Sequence, residues 1–460
     1  MLESTCLRAT VRAVDARFEF PPVKWLSLAA LVLLEATVGA CDARPRDEPP
    51  LLSLAVGTQS IGVRYKFTPE SAVLESANQM AALGSDTLKI ALTPNYTKDY
   101  MLERDATIRS LMDLLRAHPS FERAMDLPFR NIMLWVYPFS DSKSAFKTGK
   151  ISDAEAEKIH REIYDLTAHL LQRYSGTGKT FFLGNWEGDW HMLRENYDSN
   201  LDPTPEAIQG TIRWLNLREQ AVADARRDTP HSDVKVYFYV ELNHVRKAME
   251  NNRPALVNRV LPHIRTDFVS WSSYDVTKPA ALLGGEAGRA LVFQALDYIE
   301  SHLPKSEIPG KRVFVGEYGF ELASFKDPDL QRKYTASIMK WALEWGSPFV
   351  LYWELYCNEV EPATGRSRGY WLVDDRGVKQ PVWFLHEELL VRARRYLEDY
   401  RAKHGTLPSQ ATYNRVAVAL IEEIETYGVR TRPSAGFAPP SPPPPVFDEP
   451  TSPRVGSTPP

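Results

Sequence analysis

Between Leu51 and Ala402, short runs of β-branched and aromatic residues alternate with longer amphipathic segments, and the cycle repeats eight times. This rhythm restricts the fold more than any other feature. The runs are "IGVRYKF" from Ile61, "DTLKIAL" from Asp86, "NIMLWVYPF" from Asn131 and "TFFLGNW" from Thr180. Four more follow: "VKVYFYVEL" from Val234, "DFVSWSSYD" from Asp267, "RVFVGEYGF" from Arg312 and "PFVLYWELY" from Pro348. Between them, "SDAEAEKIHREIYDLTAHLLQRY" and "PEAIQGTIRWLNLREQAVADARR" repeat apolar residues at three- and four-residue steps, as half-buried helices do. Ser152 and Glu155 are spaced as a capping box, and Gly346 closes the pattern before the eighth run.

Consecutive parallel strands need a crossover long enough to hold a helix. Eight strand–helix units therefore predict an α/β fold closed as a (β/α)8 TIM barrel over 51–404. An open doubly wound sheet is the runner-up, but no GxGxxG or GxxxxGK[ST] follows the first run. "ATYNRVAVALIEEIETYG" predicts a C-terminal helix in 405–430 that packs on the barrel. Residues 431–460 contain "APPSPPPP", too proline-rich to pack, and predict a disordered tail.

A barrel of this kind does its chemistry at the C-terminal ends of its strands. Those ends carry Arg64, Lys89, Trp135, Glu187, Glu241, Tyr274, Glu317 and Trp353. Carboxylates placed there without partners would be costly, so the set marks either a site or a salt-bridged rim. Alternation gives Glu317 the parity of Val313 and Val315, and Glu187 the parity of Leu183 and Asn185. If those residues point inward, both carboxylates point into the mouth. Two facing carboxyl groups suit glycosidic cleavage, one as nucleophile and one as proton donor. Trp186, Trp190 and Trp353 add flat apolar faces of the kind that stack on sugar rings.

This arrangement resembles clan A of the retaining glycoside hydrolases, which are (β/α)8 barrels. The resemblance lies in order and placement. It implies an acid/base at Glu187 after Asn185, a nucleophile at Glu317, Tyr274 in "SSYD" at the end of the sixth strand and Trp353 in "LYWEL" at the end of the eighth. "GYWLVDDRGVKQPVWFLHEEL" is similar to the clan's exit from strand eight. In the clan the Asn and Glu are adjacent; here Trp186 separates them. Either the strand bulges, or Asn185 binds a sugar hydroxyl from one pleat lower, or it does not bind it, and Asp189 becomes a rival for the acid role.

The remaining candidates divide between binding and packing. Tyr274 either holds the nucleophile ionised or is core, and Trp135 is a stacking platform or core. Glu241, Asn243 and His244 either bind hydroxyls or cap the next helix. Parity turns Glu354 away from the mouth, and His191 reads as a solvated loop histidine.

Residues 1–50 are different material. "WLSLAALVLLEATVGA" at 25–40 is short for a membrane span and contains Glu35, but it fits the apolar region of an export signal. "VGAC" resembles a bacterial lipobox, which implies lipid attachment at Cys41 and a periplasmic or cell-surface location. The three cysteines are far apart and no HxH or HExxH occurs, so neither a disulfide framework nor a metal or other cofactor is expected. A net charge of −4 without a long basic run disfavours nucleic acid. The sequence thus reads as an exported retaining β-glycoside hydrolase for an oligo- or polysaccharide. The alternative is a non-catalytic carbohydrate-binding barrel at the cell surface. An esterase is disfavoured by the absence of GxSxG.

Overall fold

The computed structural model describes residues 50–428. The expected export signal, Cys41 and the proline-rich tail lie outside the described residues. Eight strands form the core: β1 (Val56–Thr58), β2 (Thr87–Leu92), β3 (Asn131–Val136), β4 (Thr180–Gly184), β5 (Lys235–Leu242), β6 (Phe268–Ser272), β7 (Val313–Tyr318) and β8 (Val350–Tyr352). All seven strand pairings are parallel, in the order β1-β8-β7-β6-β5-β4-β3-β2. At the seam between β1 and β2, Ser60 N donates to Lys89 O at 3.3 Å and Leu54 N donates to Asp86 Oδ2 at 2.9 Å. The fold is a (β/α)8 barrel.

The major helices begin and end where local chemistry directs. Ser152 Oγ accepts from Glu155 N to start Asp153–Arg173, and Thr204 Oγ1 accepts from Ala207 N ahead of Pro205–Asp228. Gly346, at φ 102°, ends Pro328–Trp345 in a conformation that a side chain would disfavour. The helix Gln410–Tyr427 packs at the N-terminal end of the barrel. There Gln410 binds Leu52 and Ser53, Tyr413 Oη donates to Leu54 O, and Asn414 donates to Leu343 O and Ser347 O.

The first strand is not where the sequence pattern puts it. β1 is "VGT", and "IGVRYKF" is loop. Val63, Tyr65 and Phe67 alternate because the loop packs them, not because they pair. Gly62 sits at φ +74°, and Tyr65, Phe67 and Tyr356 form an aromatic cluster with centroids 5.3–5.7 Å apart. The backbone of Phe67 and Thr68 donates to the Glu75 carboxylate instead of to a sheet. Arg64 is therefore exposed on the loop that follows β1 and not at a strand end. The end of β1 leads into Gln59, which is buried and donates to Gly316 O at 3.1 Å.

The interior face is also the opposite of the one alternation suggested. Phe182, Phe268, Phe314 and Phe349 meet ring to ring at 5.3–5.4 Å, although β4 and β8 are not neighbours in the sheet. Such contact is reached only through the barrel lumen. Above this layer lie Gly184, Tyr239, Ser270 and Gly316. A Cβ on Gly184 would meet the Tyr239 ring at 2.4 Å, and one on Gly316 would meet Ser270 Oγ at 1.7 Å. Val313, Val315 and Leu183 therefore face the outer helices.

Candidate active site

Both predicted carboxylates nonetheless reach the mouth, because each strand breaks its alternation at the top. In β7, Trp271 pairs with Val315 but Ser272 pairs with Glu317, so Gly316 is an extra residue and Glu317 turns inward. β4 stops at Gly184, and the chain leaves it through a turn with Glu187 at φ 6° and ψ 79°. Asn185 is consumed by that turn. Its Nδ2 donates to Trp186 O at 3.0 Å and Glu241 O at 3.1 Å, and its Oδ1 accepts from Glu241 N at 3.4 Å. It clamps the turn to β5 and has little capacity left for a sugar hydroxyl.

Glu187 and Glu317 are 7% and 2% exposed. One hydroxyl joins them: Ser272 Oγ donates to Glu187 Oε1 and lies 3.5 Å from Glu317 Oε2. Two oxygens sharing one hydroxyl at these contacts lie within about 6 Å of each other. Tyr274, half-buried, also donates to Glu317 Oε2 at 3.4 Å. Glu317 Oε1 has no hydrogen-bond partner among the described residues, and the Lys89 ammonium stands 3.8 Å away.

Lys89 is fully buried and crosses the barrel from β2. Its Nζ lies 2.9 Å from Glu241 Oε2, 3.1 Å from Gly316 O and 4.7 Å above the Trp135 ring. Glu241 in turn accepts from Ser270 Oγ at 2.7 Å and from Glu187 N at 3.3 Å. Glu241 is thus a buried strut beneath the pair rather than a group open to ligand. Three carboxyl groups face one ammonium here. Burial pushes Glu187 up to about 8, helped by the charges of Glu241 and Asp189 and opposed by hydrogen bonds from Ser272 and Trp190. Burial and the neighbouring Glu241 and Glu187 also raise Glu317, while Lys89 pulls it down. Both carboxyl groups are raised, and the coupled pair holds a proton at neutral pH.

Asp189 is engaged elsewhere. Its carboxylate accepts from the backbone of Asn243 at 2.9 Å, His244 at 3.3 Å and Leu256 at 2.7 Å, so it is an anchor for the turn after β5. Glu354 also points away from the pair, accepting from Asn358 N at 2.8 Å and Ile61 N at 3.4 Å. His191 is not solvated. It is buried, stacks on Phe146 at 5.1 Å and shares a 2.7 Å hydrogen bond with Tyr137 Oη.

Aromatic rings gather at the same end of the barrel. Trp135 lies 6.1 Å from Trp353 and 6.4 Å from Trp186, and exposed Tyr197 lies 6.3 Å from Trp186 and 5.5 Å from Trp190. Trp353 and Trp135 are buried, whereas Trp186 and Trp190 are half-buried. Trp353 Nε1 donates to Glu359 at 3.2 Å, and Trp190 stands edge-on to His244 at 4.3 Å. Ser272 was missed by reading residues one at a time. Its signal was the spacing of Ser270 and Ser272, two small polar residues on one face at the top of a strand.

No family model and no curated protein matches the chain. Solved structures do. An exo-β-1,4-mannosidase from an Opitutaceae bacterium is 14% identical with a TM-score of 0.47, covering 74% of this chain and 59% of its own. A family 39 glycoside hydrolase from Bacteroides cellulosilyticus is 12% identical with a TM-score of 0.43, covering 74% and 63%. A Bacteroidetes-affiliated GH5 cellulase is 15% identical with a TM-score of 0.41, covering 82% and 94%. The chain thus spans about three fifths of the length of the first two.

Proposed function

We propose that this chain is a retaining β-glycoside hydrolase that acts on an oligo- or polysaccharide. The observation that carries the reading is the hydroxyl of Ser272 shared between two buried carboxyl groups of unlike surroundings. Retention needs carboxyl groups about 5–5.5 Å apart, whereas inversion leaves room for a water at about 6.5–9.5 Å. A shared hydroxyl favours the closer class.

In the first step, Glu317 attacks the anomeric carbon as a carboxylate. The glycosidic bond breaks as Glu187 passes its proton to the departing oxygen, and an ester joins the sugar to Glu317. In the second step, Glu187, now a carboxylate, takes a proton from water. The water oxygen bonds to the anomeric carbon, and the ester breaks to regenerate Glu317. Tyr274 and Lys89 favour the ionised nucleophile. The indoles of Trp135, Trp186 and Trp353, with neighbouring centroids 6.1–6.4 Å apart, offer stacking faces for a sugar.

The test is a screen against aryl β-glycosides with the full chain, Glu187→Ala and Glu317→Gln. Azide should rescue Glu187→Ala by forming a β-glycosyl azide, because a small anion needs no base in the second step. It should not rescue Glu317→Gln. Full activity in Glu187→Ala on natural substrates would refute the assignment. Saturable oligosaccharide binding with no turnover would identify a carbohydrate-binding barrel instead. We read residues 1–50 as an export leader and linker with lipid attachment at Cys41, residues 51–404 as the catalytic barrel, and residues 431–460 as a tail without a catalytic part.

A further inference from the structure

A cavity of ≈120 Å³ lies beside the mouth, lined by Lys143, Phe146, Lys147, His191, Arg194 and Glu195. A single water needs only about 10–15 Å³ measured in this way, so an oxyanion group fits. The lining carries three cations and one carboxylate. Lys143 pairs with Glu195, while Lys147 and Arg194 are exposed beside them.

The decisive atom is His191 Nδ1, which is buried and has no hydrogen-bond partner among the described residues. Its protonation follows from the other side of the ring. Tyr137 Oη accepts from Trp186 N at 2.9 Å and has two acceptors within reach, His191 Nε2 at 2.7 Å and Trp186 O at 3.5 Å; we assign the phenol's proton to the shorter contact, which makes Nε2 the acceptor. Burial, Lys143 and Arg218 push the imidazole down to about 3, so it is neutral and its one proton sits on Nδ1. That N–H faces Glu195 Oε1 across 3.9 Å, too far for a hydrogen bond. A buried donor left open in this way costs free energy unless something else accepts from it.

The backbone adds a second sign. Lys143, Arg194 and Glu195 occupy left-handed conformations at φ 58°, 57° and 60°. Strain of this kind in residues other than glycine gathers where side chains are held for a ligand. The cavity also sits on the correct side for the chemistry. His191 is one helical turn beyond Glu187, and Trp186 links the two through Tyr137. Tyr274 donates to the other carboxylate and lies 6.2 Å from Tyr370.

We propose that this cavity is a subsite for an anionic substituent, a carboxylate or a sulfate, on the leaving-group half of the substrate. The proposal rests on the glycosidase reading for its place in the reaction, but not for the binding itself. His191 Nδ1–H donates to one oxygen, and Lys147 and Arg194 neutralise the charge.

The test uses the full chain labelled with 15N-histidine. It is titrated with glucuronate, inorganic sulfate and neutral glucose at fixed ionic strength. The His191 Nδ1 resonance should shift saturably with either anion or both, and not with glucose; the tighter anion names the group. In Lys147→Gln/Arg194→Gln the midpoint should rise at least about tenfold, since two charged donors are lost. Both side chains are exposed and the variant loses only the exposed hydrogen bond from Arg194 to Lys147 O at 3.2 Å, so the melting temperature should change little. Absence of a saturable shift in the natural protein, or an equal midpoint in the variant, overturns the proposal. A second arm compares aryl β-glycosides whose leaving groups carry a carboxylate or its methyl ester. The ratio of kcat/KM for acid over ester should fall about tenfold in the variant. Turnover with an unchanged ratio overturns the subsite. A normal titration with no turnover of any glycoside refutes the glycosidase reading and keeps the anion site.

Discussion

Replacing Glu187 by Gln should make the protein more stable in alkaline buffer while removing most of its turnover. The folded carboxyl keeps its proton up to about pH 8, whereas the ordinary value is 4.5. Between those values the native state binds more protons than the unfolded chain, so stability falls as pH rises. The contribution is fully present below about pH 4.5 and lost on passing pH 8. A full shift of that size corresponds to a ceiling of roughly 5 kcal/mol, and sharing the proton with Glu317 reduces it to about 2–3 kcal/mol. Glutamine is neutral at every pH and nearly the same shape, so it escapes the penalty. Urea unfolding at pH 5 should find the two proteins alike, and at pH 9 Glu187→Gln should be more stable by that amount. On an aryl glycoside with a poor leaving group, kcat should drop by about 10²–10⁴, the usual worth of a positioned acid. The natural protein should lose kcat above about pH 8, where the acid has lost its proton. Equal stability of the two proteins at pH 9 would mean that Glu187 is not held protonated by burial, and the acid assignment would fall.

Other perturbations probe the frame around the pair. Gly316→Ala places a Cβ 1.7 Å from Ser270 Oγ and 3.2 Å from Glu241 Oε2, so denaturant titration should show a loss of about 3 kcal/mol, with activity falling in the folded fraction. Lys89→Met leaves Glu241 without its counter-ion and should cost about 3–5 kcal/mol, and the acid limb of the kcat/KM profile should move up because Glu317 is harder to ionise. Trp353→Ala removes an indole only 7% exposed, so it should cost about 3–5 kcal/mol of stability and also lower kcat/KM at least about tenfold. Unchanged kcat/KM in the folded fraction would make Trp353 packing alone. Cys41→Ala should release the protein from the membrane fraction or block its processing, and mass spectrometry finding an intact Met1 would end the lipoprotein reading.

The sequence by itself determined the barrel, because eight cycles of strand and amphipathic helix leave few other ways to bury both kinds of face. It located seven strands to within a few residues, since their β-rich runs are buried on both sides. It also marked Glu187 and Glu317 as charged groups at strand ends, where burial would otherwise be costly. It misplaced β1, because the aromatic alternation of Tyr65 and Phe67 serves a loop cluster, and Arg64 went with it. Strict alternation also assigned the wrong interior face to β4 and β7. The tertiary structure alone decided how the carboxylates turn inward, through the extra residue at Gly316 and the irregular turn at Glu187. It alone separated Asp189, held by three backbone donors, from Glu187, held by a hydroxyl. The physical reason is common to these cases. A side chain's reach and its protonation depend on partners brought from distant strands, such as Lys89, Glu241 and Ser272, whose closeness is created only when the barrel closes.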